Sequence, residues 1–495
     1  MGNTYLYLYD GVSDQVVYAT RRLQECLKIC VKYMAPPIDS VSIAILSGEA
    51  MPEVKLDHMQ KVKLNLEDVG DERYLLRKVG QIILIAGNTD TALTNGIYDL
   101  RRAIMEDKIP NPFEHDWNVK TFPRFKHRII YHFMTPWDLR KIGVDTFTSK
   151  EWKIHLDYIR SLNYSQVVID FWSNQYYHPD YETTYHAKPR YDIIKNAFKY
   201  AHDIGLRTGV VLFPCMVPAS VYYDNPSMRA RNAEGPWGYK GCHLCWNKGK
   251  ELAVKFDRYL LEHFNGEVDT LFIEPNDPGI CGCKECMKNY VQIVKEIIEV
   301  YEKLARKYTA DRWIGFISWW FSEVERAVGG NICREVFSSL PKGTLVVDGV
   351  RSTLNIAKEC GHETAFFFML DPEGGWEDRA LITRPELRLI DAQIKKSLEA
   401  GDVGIMNYRL TPFCQFIADY VFGRKCWDAS LFDKNIITEL SAEICRTNEG
   451  REKFTEAVLA LEKWWMDKDV RDLRRANKLF NELKYVEKEG DDREN

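Results

Sequence analysis

The chain has 495 residues, with 67 lysines and arginines against 72 aspartates and glutamates, a net charge of −5 and 13% aromatic side chains. The charges are spread without a basic block, which argues against a nucleic-acid partner, and no apolar run reaches the roughly 18 residues that a membrane helix needs. The start, Met1-Gly-Asn-Thr-Tyr-Leu, has no basic stretch followed by an apolar one, so as written the chain reads as cytoplasmic, and an odd count of 13 cysteines argues for reduced thiols rather than a secreted disulfide framework.

Residues 1–122 read as a small α+β domain. Tyr5 to Tyr9 alternates as a strand, Asp14 to Met34 carries a helical period, and Val41 to Leu46 and Gln81 to Ala86 read as strands, the last running into Gly87-Asn-Thr-Asp and a helix from Thr91. Pro110, Pro112 and Pro123 punctuate the exit. From Lys126 onward strands and helices alternate: Arg128 to Phe133, Gln166 to Phe171, Thr208 to Phe213, Asp269 to Glu274, Ile314 to Trp319, Leu345 to Asp348, Ala365 to Leu370 and Val403 to Tyr408 read as strands. Helical segments fill the gaps, among them Lys150 to Leu162, Tyr191 to His202, Lys248 to Phe264, Tyr290 to Tyr308 and Pro385 to Ala400. Eight such units predict an α/β fold in which residues 123–428 form a (β/α)8 TIM barrel. After Trp427 the pattern is wholly helical, so 429–495 reads as a terminal helical region with a charged tail from Glu487.

Barrel chemistry sits at the carboxyl ends of the strands. The run from Asp269 to Cys286 places Glu274 and Asp277 there, on the fourth strand, bounded by Pro275 and Pro278. Other residues at strand ends are His132, Asp170, Trp172, Asn174, Asn276, Trp319, Trp320, Asp348, Asp371, Glu373 and Tyr408. Aromatic platforms beside carboxylates and amides suit the apolar C–H faces and hydroxyls of sugars, so His132, Asp170, Trp172, Asn174, Asn276, Trp319, Trp320 and Tyr408 are candidate substrate contacts. Hydrolysis of a glycosidic bond needs two carboxyl groups. Glu274 is the expected general acid, its pKa raised by burial among aromatic side chains. Asp371 or Glu373, beyond the seventh strand, is the expected partner, with Asp277 holding a substrate hydroxyl or the acid itself.

Each of these residues also has a plain structural use. Asp348 precedes Gly349 and suits a turn, Asp170 sits between Ile169 and Phe171 as a hydrogen-bonded structural acid would, and His132 is equally a satisfied barrel histidine. Trp319 and Trp320 are adjacent and cannot both face inward.

Cys281-x-Cys283-x2-Cys286 lies just past the fourth strand and Cys242-His-Leu-Cys245 on the preceding loop. Thiolates at this spacing suit a tetrahedral structural zinc, so Cys242, Cys245, Cys281, Cys283 and Cys286 are the candidate ligands, with His243 as a substitute; free thiols or one disulfide is the plain alternative. No catalytic cofactor is expected.

Ile273 to Cys286 resembles the strand-plus-cysteine signature of the bacterial family once called domain of unknown function 4838, which includes glycoside hydrolase family 163. Cys245-Trp-Asn-Lys resembles that family's cysteine and asparagine ahead of a barrel helix, and Tyr420 to Trp427 its post-barrel helix. Ile85 to Asp99 resembles the domain preceding the barrel in family 20 hexosaminidases and in α-glucuronidases. These resemblances imply a TIM barrel, an O-glycosyl hydrolase acting on a carbohydrate, and Glu274 or Asp277 as the fourth-strand acid. They extend to glycans containing N-acetylhexosamine or uronic acid. Family 20 carries an adjacent Asp-Glu pair at this place, whereas Pro275 and Asn276 here separate Glu274 from Asp277.

Two other readings fit the same residues. A catalytically silent carbohydrate-binding barrel would keep the aromatics without a suitably spaced carboxylate pair, and a metal-dependent hydrolase would use the cysteine cluster catalytically. The oligomeric state is open, a homodimer among the options.

Overall fold

The computed structural model describes residues 5–8, 12–27, 30–32, 41–47, 72–79, 82–105, 113–121, 123–134, 144–184, 186–232, 242–276, 281–368, 385–409 and 412–493. The first elements are β1 (Tyr5–Leu8), α1 (Asp14–Leu27), β2 (Cys30–Lys32), β3 (Val41–Ser47), β4 (Tyr74–Val79), β5 (Ile82–Gly87), α2 (Asp90–Met105) and β6 (Asn118–Thr121). They form one sheet in the order β2-β1-β3-β5-β4-β6, parallel except that β4 runs antiparallel to β5 and β6. The apolar faces of α1 and α2 share a core with Leu6, Leu76, Ile83 and Ile85. Helix α2 lies close to the sheet because Gly96 has no side chain: a Cβ there would sit 2.7 Å from Ile85 Cγ2 and 2.9 Å from a Tyr74 ring carbon. The helix expected to reach Met34 ends at Leu27, and Cys30–Lys32 instead pairs with β1. A three-residue segment has no period of its own, so the edge of the sheet decides its conformation.

The next segment builds the barrel: β7 (His127–His132), α3 (Ser149–Ser161), β8 (Gln166–Asp170), α4 (Ala187–Asp203), β9 (Arg207–Leu212), α5 (Ala219–Asp224), α6 (Trp246–His263), β10 (Thr270–Ile273), α7 (Lys284–Lys288), α8 (Tyr290–Tyr308), β11 (Ile314–Ile317), α9 (Phe321–Val328), α10 (Ile332–Phe337), β12 (Leu345–Asp348), α11 (Arg351–Glu359), β13 (Glu363–Phe368), α12 (Leu387–Ala400), β14 (Gly404–Arg409) and α13 (Pro412–Trp427). The strands β7 to β14 are parallel and close on themselves where β14 pairs with β7. This is the (β/α)8 barrel expected from the alternation. Its strands read as nearly continuous apolar runs because helices cover one face and the packed lumen the other.

Three helices follow, α14 (Asp433–Ile444), α15 (Asn448–Asp467) and α16 (Val470–Arg493). Helix α16 runs past Glu487, where a charged tail was expected. It is anchored on α15 through the Phe454–Phe480 ring contact at 6.1 Å, and ion pairs join Lys453 and Lys478 to Glu482. Buried arginines tie the first sheet to the barrel. Arg128 forks onto Glu72 at 2.8 and 2.9 Å, with Trp427 stacked 5.3 Å from its guanidinium, and Arg160 donates to Asn95 at 2.8 Å. No helix of the described residues is long and apolar enough to cross a membrane.

Candidate active site

Side chains alternate along a strand, so the lumen face of β10 can be followed to its end. Thr270 Oγ1 accepts from Gln166 Nε2 at 3.0 Å across β9, passing over Gly209. Two residues on, the Phe272 ring covers Gly315 of β11, where a Cβ would lie 2.2 Å from a ring carbon. The ladder continues one step beyond the strand, with the Glu274 amide donating to the Leu212 carbonyl at 3.0 Å. Glu274 therefore follows Thr270 and Phe272 on the lumen face, at the carboxyl end of the barrel, and is 5% exposed.

The stagger of the barrel brings a second carboxylate to the same layer. Gln166 pairs with Arg207, and the Thr270 it touches pairs with Gly209, two residues further along β9. Asp170 pairs with Val211, and the same offset of two along β10, from Phe272, leads to Glu274. Asp170 is fully buried and held by three donors. Met134 N reaches Oδ1 at 2.6 Å, and Tyr131 Oη and Trp172 Nε1 reach Oδ2 at 3.1 and 3.0 Å. Asp170 is thus the hydrogen-bonded acid that its apolar flanks suggested. It orients the aromatic wall and has little capacity left for a sugar hydroxyl.

That wall is continuous. Trp319 meets Phe367 at 5.5 Å, Phe367 meets Tyr408 at 5.5 Å, Tyr408 meets Tyr131 at 5.0 Å and Phe133 at 5.5 Å, and Trp172 joins Phe133 at 5.1 Å and Phe213 at 5.0 Å. Trp172, Trp319 and Tyr408 were expected here. Tyr131, Phe133, Phe213 and Phe367 were not, although they share the strand-end position and the inward parity of the residues that were. Trp320 is 44% exposed and holds a left-handed backbone, φ 67°, at the start of α9, so its ring stands at the rim while Trp319 turns inward.

His132, Asn276 and Asp348 serve the scaffold. His132 does not face the lumen; it points to the helix layer, where its Nε2 lies 3.0 Å from that of His155 on α3, and burial drives its pKa well below the usual range. Asn276 donates to the Trp319 carbonyl at 3.2 Å and accepts from Tyr290 Oη at 2.7 Å, which clamps the end of β10 to β11 and α8 and occupies both ends of its amide. Asp348 accepts from Val350 N at 2.7 Å and from Ser318 Oγ, the turn role expected of it, and burial raises its pKa to about 7. Asn174 lies half-buried beyond β8; its backbone carbonyl accepts from Thr184 Oγ1 at 2.7 Å, while its side-chain Oδ1 is buried without a partner among the described residues. Asp277, Asp371 and Glu373 lie outside the described residues.

The cysteines beside the site converge. The sulfurs of Cys245, Cys281, Cys283 and Cys286 all lie within 4.8 Å of one another, with Cys245 at 4.0 Å from Cys283 and 3.5 Å from Cys286. Cys242 is not a member of this group, because its thiol turns to Ser173. His243, the proposed substitute, is buried nearby and burial lowers its pKa to about 3. The bond to Cys281 raises Cys245 to about 12, while bonds from Cys245 and Cys286 hold Cys281 low. A cavity lined by Cys215, Trp246, Tyr290 and Ile297 lies behind the cluster.

No family model matches the chain and no curated protein matches it. Among solved structures, its fold is similar to that of a glycoside hydrolase family 138 enzyme targeting pectin rhamnogalacturonan II, at 11% identity over 93% of this chain and 55% of that one, with a TM-score of 0.54. It is also similar to a family 115 4-O-methyl-α-glucuronidase with specificity for decorated arabinogalactans, at 10% identity over 93% and 62%, with a TM-score of 0.63. A third likeness is to a mutant Streptomyces plicatus β-hexosaminidase holding its product GlcNAc, at 14% identity over 90% of each chain and a TM-score of 0.56. The chain thus spans 55% and 62% of the first two enzymes. At these identities the likeness establishes the fold, a TIM barrel behind a smaller domain, and the enzymes that share it are glycoside hydrolases.

Proposed function

We propose that this protein is an O-glycosyl hydrolase that works by carboxylate acid–base chemistry at the mouth of its barrel, with Glu274 as the proton donor. The observation that carries this reading is Glu274 itself: a buried carboxyl group on the lumen face at the carboxyl end of the fourth barrel strand, at the barrel end where the aromatic wall lies. An acid catalyst must keep its proton near neutral pH, and removing a carboxyl group from water disfavours its charged form. The wall offers apolar faces for sugar C–H groups, and Trp320 at the rim adds an exposed one.

The second carboxylate is proposed to be Asp371 or Glu373, since β13, the seventh strand, stands three strands from β10 around the barrel. Asp277 would hold a substrate hydroxyl or the acid. Asp170 acts one step back, by fixing Trp172 and Tyr131. The resemblance of Ile273 to Cys286 to the family 163 signature, and the fold shared with α-glucuronidases and hexosaminidases, support a glycan containing uronic acid or N-acetylhexosamine as substrate. The four-thiol cluster speaks against a catalytic metal, because a closed set of four protein ligands leaves no position for water or substrate. Aryl glycosides, including uronides and 2-acetamido sugars, test the reading directly. Turnover of at least one is expected; saturable sugar binding without turnover on any would favour the silent binding barrel.

A further inference from the structure

Four cysteine sulfurs from two loops meet at one point beside the barrel mouth, and the backbone around them is arranged for anions. Tetrahedral zinc with Zn–S near 2.3 Å requires sulfurs about 3.8 Å apart. The measured separations of 3.5 and 4.0 Å straddle that value, and the 4.8 Å limit on the whole group needs less than about 1 Å of contraction.

Three N–H donors point at different sulfurs. Arg231 N reaches Cys281 at 3.4 Å, Cys286 N reaches Cys283 at 3.5 Å, and Asn247 Nδ2 reaches Cys286 at 3.9 Å. Cys245 stands at the N-cap position of the 18-residue helix α6, which fixes where its sulfur enters the group. Such donors are what a metal thiolate site recruits to carry its excess negative charge. The group is too tight for an iron–sulfur cluster, whose ligands must stand apart around several atoms, and it encloses room for one ion.

We infer that Cys245, Cys281, Cys283 and Cys286 bind a single Zn²⁺ as a closed tetrathiolate, each thiol giving its proton to solvent as its sulfur takes up the metal. The ion would join the loop that follows β9 to the loop that follows β10. Cys281 stands seven residues beyond Glu274, so the ion would brace the wall that carries the acid. This inference is independent of the glycosidase reading, since the site is complete without any sugar.

The test uses the whole chain, purified under reducing conditions in the presence of zinc and then desalted. Elemental analysis should find about one zinc per chain, and Co²⁺ in its place should give the intense visible absorption of a tetrahedral tetrathiolate. Cys281→Ser, at a half-buried position, should lower zinc retention about tenfold or more, and Cys360→Ser, outside the group, should leave it unchanged. A chelator should lower the thermal midpoint of the wild type. Protein free of zinc, a disulfide among the four cysteines, a cobalt spectrum without thiolate character, or full retention in Cys281→Ser would each overturn the assignment. The cobalt spectrum needs no variant and decides the matter even if Cys281→Ser fails to fold.

Discussion

Replacing Asp170 by asparagine keeps the shape of the side chain and removes the charge on which three donors converge. If the new Oδ1 accepts from Tyr131 and Trp172, the Nδ2 group faces Met134 N, a donor that now sits 2.6 Å from the same position. If the amide flips, Met134 is satisfied and the Trp172 indole N–H meets a donor instead. Either way one buried N–H loses its acceptor, at about 1–3 kcal/mol, and the remaining bonds lose their charge assistance. The sum is a destabilisation of about 2–4 kcal/mol, readable as a lower urea midpoint with unchanged slope. Trp172 and Tyr131 should shift with it, so activity should fall further than the folded fraction does. A variant within about 0.5 kcal/mol of wild type, with unchanged turnover, would refute the claim that Asp170 organises the wall.

Gly315→Ala would drive a Cβ into the Phe272 ring at 2.2 Å, so the ring must move; we expect a loss of about 1–3 kcal/mol in denaturant melts, with lower turnover because Glu274 follows two residues on. Trp320→Ala should raise KM about tenfold with kcat nearly intact if the exposed ring is a sugar platform, and unchanged steady-state kinetics would remove it from the site. Asp257, fully buried with Tyr176 Oη donating at 2.7 Å and Tyr301 Oη beside it, has its pKa raised by burial to about 7. The folded state therefore keeps a proton that the unfolded chain releases near pH 4, and the stability this confers at low pH is lost as pH rises through 7. Relative to Asp257→Asn, the wild type should lose up to about 1.4 kcal/mol per pH unit between about pH 4 and 7, and a constant difference across that range would contradict the shift.

The barrel was legible because strands buried on both faces are continuous apolar runs, and runs such as Leu345 to Asp348 leave little latitude in their limits. The short elements were not, because segments such as β2, α7 and α10 carry too few residues to show a period and take their conformation from what they pack on. At the site, the sequence located strand ends but not their faces. A side chain turns from lumen to helix layer with each step, so His132 and Tyr131 exchange roles on a one-residue distinction that composition does not register. The same parity hid Phe133, Phe213 and Phe367, which read as undistinguished members of apolar runs. Glu274 stood out because a carboxylate closing a buried strand needs a reason to be there. Among the cysteines the spacing of Cys281, Cys283 and Cys286 was sufficient, whereas the choice between Cys242 and Cys245 rested on where the chain enters α6.

The central claim is tested most directly by the turnover of Glu274→Gln on a glycoside with a poor leaving group. The amide keeps the size and the hydrogen-bonding capacity of the side chain and removes the proton to be donated. The account predicts a fall in kcat of about 10²-fold or more at an unchanged thermal midpoint, with a much smaller loss on substrates whose leaving group needs no protonation. Near-normal turnover of the poor-leaving-group substrate by Glu274→Gln, with Asp277→Asn inactive, would contradict it and transfer the acid's role to Asp277.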